Sequence, residues 1–470
     1  MENTSRWCGI AIVSVALAAA GPPLAAKESP SAGLRPDIDR AVHEILAKTG
    51  APSASIAVVA DGAIAYLQAY GTATLEPRTP ATPEMRYSIG SISKQFTAAA
   101  VLMLAEEGRL SLDDKLVRWF PSLTGASEVT LREILSMTSG YQDFWPEDYV
   151  MPMMLQPVTP AEILDRWARK PLDFAPGTRW QYSNTNYVIA GLVVERVSGM
   201  PLWDFLAQRV FAPLHMTTVT DTDRAPLGPG DPGRFMRYAL GPLRPAPKEG
   251  QGWMFAAGEL AMTAGDLALW DISLIDRKLM QPASYRQMET EVLLANGVAS
   301  GYGLGVSVGM ADGRRLVSHG GEVSGFTARN NVYPEDRAAV VVLTNLDATN
   351  AAEQMATRIG AALFTARDRE KERALERART ILDGLAHGRI ERSRFTPNAN
   401  AYFTEQALRD FAAGLAPLGR WKEFTQQASS LRGGMTLRRY RAVFPTTTLR
   451  VTTFAMPDGK LEQYMVAAIE

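Results

Sequence analysis

Cysteine is nearly absent from this chain of 470 residues: the one thiol, that of Cys8, lies close to the amino terminus. A single cysteine excludes a disulfide within the chain and a zinc site built on several thiolates. Histidine is scarce as well, with no H-E-x-x-H or comparable pair among the residues at 43, 215, 319 and 387. These absences argue against a metallohydrolase, and neither a metal nor a cofactor is expected.

An excess of charge of one sign is also missing. Lysine and arginine total 49 against 50 aspartates and glutamates, for a formal net charge of −1. The whole chain therefore has no electrostatic reason to bind nucleic acid or anionic lipid. Hydrophobic residues make up 46% and charged residues 21%, as in a soluble globular protein with a sizeable core. The length favours two or three units and leaves the oligomeric state open.

The apolar run Trp7–Ala20 follows a short polar segment and precedes small residues up to Ala26. This layout predicts a secretory signal peptide at residues 1–26, cleaved after Ala26 or Ala20. A transmembrane anchor is the alternative, but the run is shorter than the ~20 residues that a bilayer span needs. We expect an exported chain, periplasmic or secreted, with no stable membrane insertion after cleavage. Cleavage would also remove Cys8 and with it any cysteine nucleophile.

The remaining chain alternates between strand and helix patterns that predict an α+β fold. Residues 54–70 have a hairpin pattern around Asp61-Gly62, and helical spacing runs from Ser93 to Gly108. Residues 130–290 are mostly helical pieces, strand patterns return between 302 and 345, and a helix is expected at 350–366. We therefore expect an antiparallel sheet built from both ends of residues 27–368, with a helical insertion.

Residues 369–470 are expected to form a separate small α+β domain. The segment ARDREKERALERART is dense in both charge signs, which is typical of a solvated helix or helical linker. The later segment DGKLEQYMV resembles the last strands of cone-shaped domains of the nuclear-transport-factor type. A solvated face explains the nearby arginines better than an anion site does; they are Arg432, Arg438, Arg439 and Arg441.

The segment SISK places Ser91 and Lys94 three residues apart at the start of a helix. At that spacing both side chains share one face. A serine hydroxyl needs a base to become nucleophilic, and a lysine that burial keeps neutral can serve. The backbone N–H of Ser91 could also face a developing oxyanion. Alone, the motif is equally well explained by a helix-capping serine and a surface lysine.

Two further motifs strengthen the interpretation. Tyr182-Ser183-Asn184 follows the loop FAPGTRW, where the tyrosine can shuttle a proton and the asparagine can hold a substrate carbonyl. His319-Gly320-Gly321 closes a predicted strand, and its glycines would let a ligand backbone approach. The structural alternatives are a strand-end tyrosine, a turn asparagine and a hydrogen-bonded core histidine.

The order S-x-x-K, Y-x-N and [K/H]-x-G resembles the serine β-lactamase and DD-peptidase superfamily, in particular the class C β-lactamase-related carboxypeptidases, D-aminopeptidases and esterases. The resemblance covers roughly residues 35–366. It extends to these stretches: PEMRYSIGSISKQFTAA, GRLSLDDKLVRWFP, LREILSMTSG, FAPGTRWQYSNTNYVIAGLVVE, AGELAMTAGDLALW and YGLGV. It implies a β-lactamase/transpeptidase-like fold, an antiparallel sheet flanked by helices with an all-helical subdomain.

The resemblance also implies roles for individual residues. Ser91 would be the nucleophile, Lys94 and Tyr182 its proton-transfer partners and Asn184 a substrate anchor. The oxyanion hole would comprise the backbone N–H groups of Ser91 and Glu322. His319, with Gly320 and Gly321 beside it, would contact the substrate.

Three positions depart from the family pattern. His319 replaces the lysine usual in β-lactamases, and a histidine is only partly charged at pH 7. This favours peptidase or esterase activity over antibiotic hydrolysis. Met137 stands where histidine is frequent before T-S-G, and Glu259 where a second glycine is common.

Two literal motifs are set aside. Lys48-Thr49-Gly50 precedes Ser91, and we interpret it as a helix that ends at a glycine. Gly305-Val306-Ser307-Val308-Gly309 matches the nucleophile elbow G-x-S-x-G, which requires a strand, a sharp turn and a helix. The alternating pattern through Ser307 predicts a hairpin instead.

The leading hypothesis is a serine hydrolase of amide or ester bonds that forms an acyl-enzyme on Ser91. Its small-molecule or peptide substrate would be a D-alanyl peptide, another D-amino-acid amide, a β-lactam or a carboxylic ester. The alternative is a penicillin-binding sensor or scaffold that deacylates slowly.

Overall fold

The structure is a computed structural model that describes residues 34–147 and 149–469. The predicted signal peptide, residues 1–26, and Cys8 lie outside the described residues. The described chain divides into two compact units, 34–380 and 381–469. The sequence placed the boundary earlier, between 368 and 369, and that assignment of domains stays a prediction.

The strands of the first unit are numbered in chain order. They are β1 (Ser53–Ala60), β2 (Ala63–Leu75), β3 (Arg78–Pro80), β4 (Tyr87–Ser88), β5 (Thr220–Asp221), β6 (Phe235–Met236), β7 (Arg244–Pro245), β8 (Leu260–Met262), β9 (Ser307–Ala311), β10 (Arg314–Val323), β11 (Phe326–Tyr333) and β12 (Ala338–Thr344). The main sheet is antiparallel, in the order β3-β2-β1-β12-β11-β10-β9. Strands from both ends of the unit meet at β1 and β12, as the sequence predicted.

The helices that begin in the first unit are also numbered in chain order. They are α1 (Arg35–Thr49), α2 (Ser93–Glu106), α3 (Leu131–Leu135), α4 (Pro160–Ile163), α5 (Asn184–Ser198), α6 (Leu202–Leu206), α7 (Ala264–Asp276), α8 (Pro282–Met288) and α9 (Ala351–Ala386). Short 3-10 and π-helical segments are Gly90–Ile92, Leu116–Arg118, Pro152–Leu155, Leu164–Ala168 and Ala207–Phe211. In residues 34–147 and 149–469, no helix combines the length and the apolar character needed to cross a bilayer.

The first hairpin, β1–β2, has the predicted turn. Asp61 and Gly62 both have positive φ, 55° and 79°, as a two-residue type I′ turn requires. A Cβ at Gly62 would lie 2.0 Å from a guanidinium nitrogen of Arg337, but that flexible side chain could move, so the positive φ is what requires glycine here. The same pair of residue types, Asp312-Gly313, turns β9 into β10.

Helices cover both faces of the main sheet. The central strand β12 is apolar on both of its faces, and each face packs against helices. Val340 and Val342 face a core shared with α1 and α9, whereas Val341 and Leu343 face the larger core that contains α2, α5 and α7. Side chains alternate along a strand, so one fully buried strand supplies both cores. The predicted α+β class, with an antiparallel sheet flanked by helices, is confirmed.

The second unit is a small α+β structure. Its helices and strands are α10 (Pro397–Tyr402), α11 (Glu405–Leu415), β13 (Glu423–Arg432), β14 (Met435–Val443), β15 (Thr448–Ala455) and β16 (Leu461–Ala468). The strands form an antiparallel sheet in chain order. Its likeness to the nuclear-transport-factor type stays a prediction.

One acid in the core of the first unit, Asp271 on α7, lies in surroundings that favour its protonated form. It is fully buried, and its Oδ1 accepts from the amide of Asn330 at 2.8 Å. Burial raises the pKa of this carboxyl well above its usual range, more than the bond from Asn330 lowers it. The folded protein therefore binds a proton that the unfolded chain releases above pH ~3.9.

We expect Asp271→Asn to become more stable than the wild type as the pH rises. In the wild type, the protonated Asp271 contributes to the free energy of unfolding. This contribution is fully present below the pKa of the unfolded chain and declines by about 1.4 kcal/mol per pH unit until the pKa of the folded protein is reached. Urea unfolding at pH 4 and pH 8 measures the difference. Asp113→Asn, at an exposed ion pair with Arg132, is the control. A difference that stayed constant with pH would show that Asp271 is ionised in the folded state.

Candidate active site

Ser91 lies in the tight turn Gly90–Ile92 that leads into α2. Gly90 has a φ of 50°, and a Cβ there would lie 2.7 Å from the backbone nitrogen of Glu322 on β10. Only glycine combines that φ with so close an approach. The turn thus brings Ser91 beside the residue whose N–H is predicted to complete the oxyanion hole. The oxyanion role itself stays a prediction.

Lys94 is completely buried one helical turn after Ser91. Its Nζ donates to Ser91 Oγ at 2.9 Å, to Asn184 Oδ1 at 2.8 Å and to the carbonyl of Ala257 at 2.8 Å. Two of these acceptors, the amide and the carbonyl, cannot give a proton back. A neutral Lys94 can donate to those two and aim its lone pair at the Ser91 hydroxyl.

The electrostatic surroundings favour that neutral form. Burial lowers the pKa of Lys94 to about 7, and the negative charge of Asp143 opposes the shift. An amine in a low-dielectric site loses the hydration that stabilises its charge. The lysine therefore changes protonation state near neutral pH, as a general base and acid should.

Tyr182 borders the same space from the loop before α5. Its ring centroid lies 4.9 Å from Lys94 Nζ, and its hydroxyl is buried with no hydrogen-bond partner among the described residues. Burial raises the pKa of Tyr182 above its usual range, although the nearby Ser91 hydroxyl lowers it. The two hydroxyls are thus neighbours whose geometry falls short of a hydrogen bond. A neutral phenol beside the serine is placed to donate a proton.

Asn184 is held by Asp143, a residue that the sequence did not single out. Asp143 Oδ1 accepts the backbone N–H of Asn184 at 2.9 Å, and its Oδ2 accepts the side-chain amide N–H at 3.3 Å. This leaves Asn184 Oδ1 to face Lys94. The only signal in the sequence is the position of Asp143 just after the T-S-G stretch.

The carbonyl that accepts from Lys94 belongs to the Ala256–Glu259 turn. Ala256 has a φ of 59°, and its N–H donates to the carboxyl of Glu259 at 2.6 Å. Thr97 on α2 donates to the Ala256 carbonyl at 2.8 Å. Glu259, which departs from the family pattern, therefore helps to hold the turn that orients Ala257.

Met137, the other departure from the pattern, supports the Tyr182–Asn184 loop from behind. Its sulfur accepts weakly from the backbone N–H of Ser183 at 3.4 Å and from the amide of Asn186 at 3.6 Å. A thioether is a weak acceptor, so this contact contributes packing more than hydrogen bonding.

His319 lies on β10 next to these groups, with its ring 6.2 Å from that of Tyr182. Its Nδ1 donates to the Gly320 carbonyl at 2.5 Å, which fixes the tautomer, and its Nε2 accepts from the hydroxyl of Tyr302 at 2.8 Å. Burial, and then the charge of Lys94, lowers the pKa of His319 to about 3. The ring is therefore neutral near pH 7, not partly charged as the sequence suggested.

The two glycines after His319 differ in what requires them. A Cβ at Gly321 would lie 1.9 Å from the carbonyl oxygen of Ile89, so this glycine is needed for the contact between β10 and the serine turn. A Cβ at Gly320 would meet nothing closer than Arg329, at 3.7 Å. The expected access for a ligand backbone thus does not explain Gly321, and the substrate role of both stays a prediction.

The two literal motifs set aside earlier have the local structures that the sequence predicted. Lys48 and Thr49 end α1, and Gly50 caps it with a φ of 68° while its N–H donates to Leu46 O, which confirms the helix end. Ser307 begins β9 and pairs with Ser318 on β10. It lies on a hairpin strand, so the elbow geometry is absent there.

A cavity of about 530 Å³ lies elsewhere in the first unit. Two buried acids, Asp221 and Glu259, and the partly buried Asp223 are among its lining residues, and none of the predicted catalytic residues is. In the part of the chain that the structure describes, no three His, Cys, Asp or Glu residues are arranged to hold a metal ion.

Comparisons with known proteins identify the family of this chain. The family model described as Beta-lactamase matches residues 38–364. A D-aminopeptidase of Brucella ovis is 30% identical over 341 residues, which are 70% of this chain and 62% of that relative. The matched region thus spans less than two thirds of the relative's length.

Two solved structures extend the comparison. A D-stereospecific amidohydrolase from Streptomyces sp. is 26% identical with a TM-score of 0.60, and the match covers 68% of this chain and 96% of that one. The D-amino acid amidase from Ochrobactrum anthropi SV3, complexed with L-phenylalanine, is 25% identical with a TM-score of 0.62, and covers 71% and 99%. In both cases the match covers nearly the whole of the solved chain, so this chain shares with them the fold around the site.

Proposed function

This chain belongs to the β-lactamase family, and from that premise we propose that it is a serine hydrolase that cleaves amide bonds of D-amino-acid derivatives through an acyl-enzyme on Ser91. The observation that carries the proposal is the buried Lys94 amine, 2.9 Å from Ser91 Oγ. With a pKa of about 7, this amine can take the serine proton at neutral pH.

Acylation follows from the contacts of Lys94. The neutral amine accepts the Ser91 proton while Asn184 Oδ1 and the Ala257 carbonyl hold it in place. Ser91 Oγ forms a bond to the substrate carbonyl carbon, and the carbonyl oxygen becomes negative between the N–H groups of Ser91 and Glu322. Such preorganised donors stabilise the oxyanion more than water does.

The intermediate collapses when the leaving nitrogen gains a proton. The Tyr182 phenol donates it and is reprotonated by the Lys94 ammonium, so the lysine returns to its neutral form. Water then attacks the acyl carbon, gives up one proton to the same pair of groups, and Ser91 Oγ leaves protonated. The raised pKa of Tyr182 keeps the phenol protonated until that transfer.

The charge state of His319 supports an uncharged amide as the preferred substrate. A permanent cation at this position would hold a substrate carboxylate, and the neutral ring does not. Side chains alternate along a strand, so Arg329, which lies near Gly320, is on the face of the sheet away from His319. The preference for the D configuration is proposed from the similar D-aminopeptidase, amidohydrolase and amidase.

The proposal predicts turnover of D-alaninamide and D-phenylalaninamide in preference to carboxylate-bearing D-Ala-D-Ala and nitrocefin. Ammonia release, alanine release and nitrocefin absorbance measure these rates; L-phenylalaninamide and p-nitrophenyl butyrate are the comparisons. Faster hydrolysis of nitrocefin than of both D-amides would contradict it. Stoichiometric labelling by fluorescent penicillin without turnover of any substrate would instead support the slowly deacylating sensor.

His319→Lys should shift this preference toward carboxylates, because it introduces a charge beside the substrate. We expect the ratio of kcat/KM for nitrocefin to that for D-phenylalaninamide to rise by about tenfold, the effect of ~1.4 kcal/mol. His319→Gln, which keeps a neutral polar side chain, is the control. In the wild type, rates for anionic and neutral substrates should vary with pH between 5 and 8 in parallel, because His319 does not titrate there.

Export remains part of the proposal. The predicted signal peptide at residues 1–26 supports a periplasmic or secreted enzyme. Cell fractionation of the full chain, with detection of the processed amino terminus, tests this point.

A further inference from the structure

Asp143 is bound to the amide that faces the catalytic lysine. It takes the backbone N–H of Asn184 with one oxygen and the side-chain N–H with the other, at 2.9 and 3.3 Å. Asn184 in turn accepts from Lys94 Nζ at 2.8 Å, and Lys94 donates to Ser91. A continuous chain of hydrogen bonds therefore runs from the Asp143 carboxylate through one amide and the lysine to the nucleophile.

We propose that Asp143 is a positioning residue that fixes the amide orientation of Asn184 and sets the pH at which Lys94 becomes a base. The inference rests on the proposed role of Lys94 and deepens it. It assigns to Asp143 both a geometric and an electrostatic effect.

The geometric effect follows from what each atom can do. A carboxylate only accepts hydrogen bonds, so the atom of Asn184 next to Asp143 must be the NH₂ group. The carbonyl oxygen of the amide is then turned to Lys94, which needs an acceptor. An uncharged amide at 143 could face Asn184 in either orientation, and the preference would be lost.

The electrostatic effect follows from the neighbours of Lys94. The titratable groups that face its nitrogen are Asp143, His319 and two phenols, those of Tyr182 and Tyr187 at 4.9 and 5.6 Å from ring centroid to Nζ. The two phenols and the imidazole are neutral near pH 7. Asp143 thus supplies the negative charge that opposes the desolvation of Lys94.

The surroundings of Asp143 raise its pKa overall, but its hydrogen-bond partners favour the charged form. Burial raises the pKa of the carboxyl, while the N–H groups of Asn184 and Trp145 and the charge of Lys94 lower it. Its Oδ1 also takes the first N–H of α5, where the helix dipole favours an anion.

The test is the pH dependence of Ser91 labelling by a fluorophosphonate, which requires the base but no particular acyl substrate. The wild-type rate should rise with an inflection near pH 7, the pKa of Lys94. Asp143→Asn should move that inflection down by about one pH unit, because an opposite charge near the lysine is lost. Asp143→Ala, which removes the carboxylate together with its hydrogen bonds to Asn184, should shift it in the same direction.

The exchange variant Asp143→Asn/Asn184→Asp is expected to shift the inflection of Ser91 labelling in the opposite direction, to higher pH. It restores a matched donor and acceptor between the two positions but puts the carboxylate in direct contact with Lys94. Its inflection should therefore lie above that of the wild type. Asp173→Asn is the control: Asp173 accepts from Gln181 at 2.6 Å, near the same loop, and its loss should leave the inflection unchanged.

The possible outcomes separate the two proposals. No labelling of Ser91 in the wild type would overturn the proposed function and this inference with it. Normal labelling, with the inflection unchanged in both single variants, would overturn the inference alone and leave Asp143 as a helix cap. An exchange variant that titrates like Asp143→Asn would also contradict it, because a carboxylate in contact with Lys94 would then have no effect on the titration of the lysine.

Discussion

Ser91→Ala is expected to abolish covalent labelling by a fluorophosphonate or penicillin probe. It should also reduce amide turnover by about 10⁴-fold or more, which is the typical loss of rate when a serine hydrolase loses its nucleophile. The reason is geometric: Ser91 Oγ is the hydroxyl 2.9 Å from the buried amine of Lys94. Mass spectrometry of the intact labelled protein, followed by peptide mapping, measures the result.

Ser307→Ala is the matched control for this experiment. Ser307 belongs to the literal G-x-S-x-G motif but lies on β9 beside Ser318, so its replacement should leave labelling unchanged. If Ser91→Ala still reacted with the probe and Ser307→Ala did not, the nucleophile would be the serine of the hairpin.

Lys94→Arg is expected to be nearly as damaging as Lys94→Ala, with a loss of about 10³-fold or more in kcat/KM. Arginine keeps the charge but does not deprotonate in proteins, so it cannot take the Ser91 proton. The larger guanidinium also has to fit among three acceptors in a fully buried position. Steady-state hydrolysis of D-phenylalaninamide checks this, with the exposed Lys48→Arg as control.

Lys94→Met distinguishes loss of the base from loss of the fold. The pKa of Lys94 is lowered in the folded state, so the unfolded chain binds more protons between pH 7 and 10.5. Stability therefore rises with pH across that range, and the full cost of the buried amine is present below it. At pH 6 we expect Lys94→Met to be inactive yet more stable than the wild type by about 3–5 kcal/mol.

For the arginine variant, the contradicting result is different. Retention of most wild-type activity in Lys94→Arg would make Lys94 an electrostatic partner only.

Local sequence was sufficient for most of the secondary structure. The Asp61-Gly62 hairpin, the helix after Ser93 and the helix that ends at Gly50 all follow from turn chemistry or apolar spacing within a few residues. The helix expected at 350–366 instead runs on as Ala351–Ala386. The charged segment after Phe364 has strong helix formers and no glycine or proline to stop it.

The sequence by itself also identified the family, which the match to residues 38–364 confirms, whereas the catalytic roles of its motifs stay a prediction. The motifs can be recognised in the sequence because the chemistry needs each residue type at a fixed local spacing. Ser91 and Lys94, on one helical turn, are an example. A sequence motif gives no measure of burial, however. The sequence therefore suggested that His319 is partly charged.

Only the tertiary structure decided the electrostatics of the site and the residues that support it. Asp143 and Tyr302 reach Asn184 and His319 from distant parts of the chain, and neither belongs to a motif with its partner. The pKa values of Lys94 and His319, both near or below neutrality, arise because packed side chains remove water from around them. Desolvation is a property of the whole fold, so no local pattern of residues can carry it.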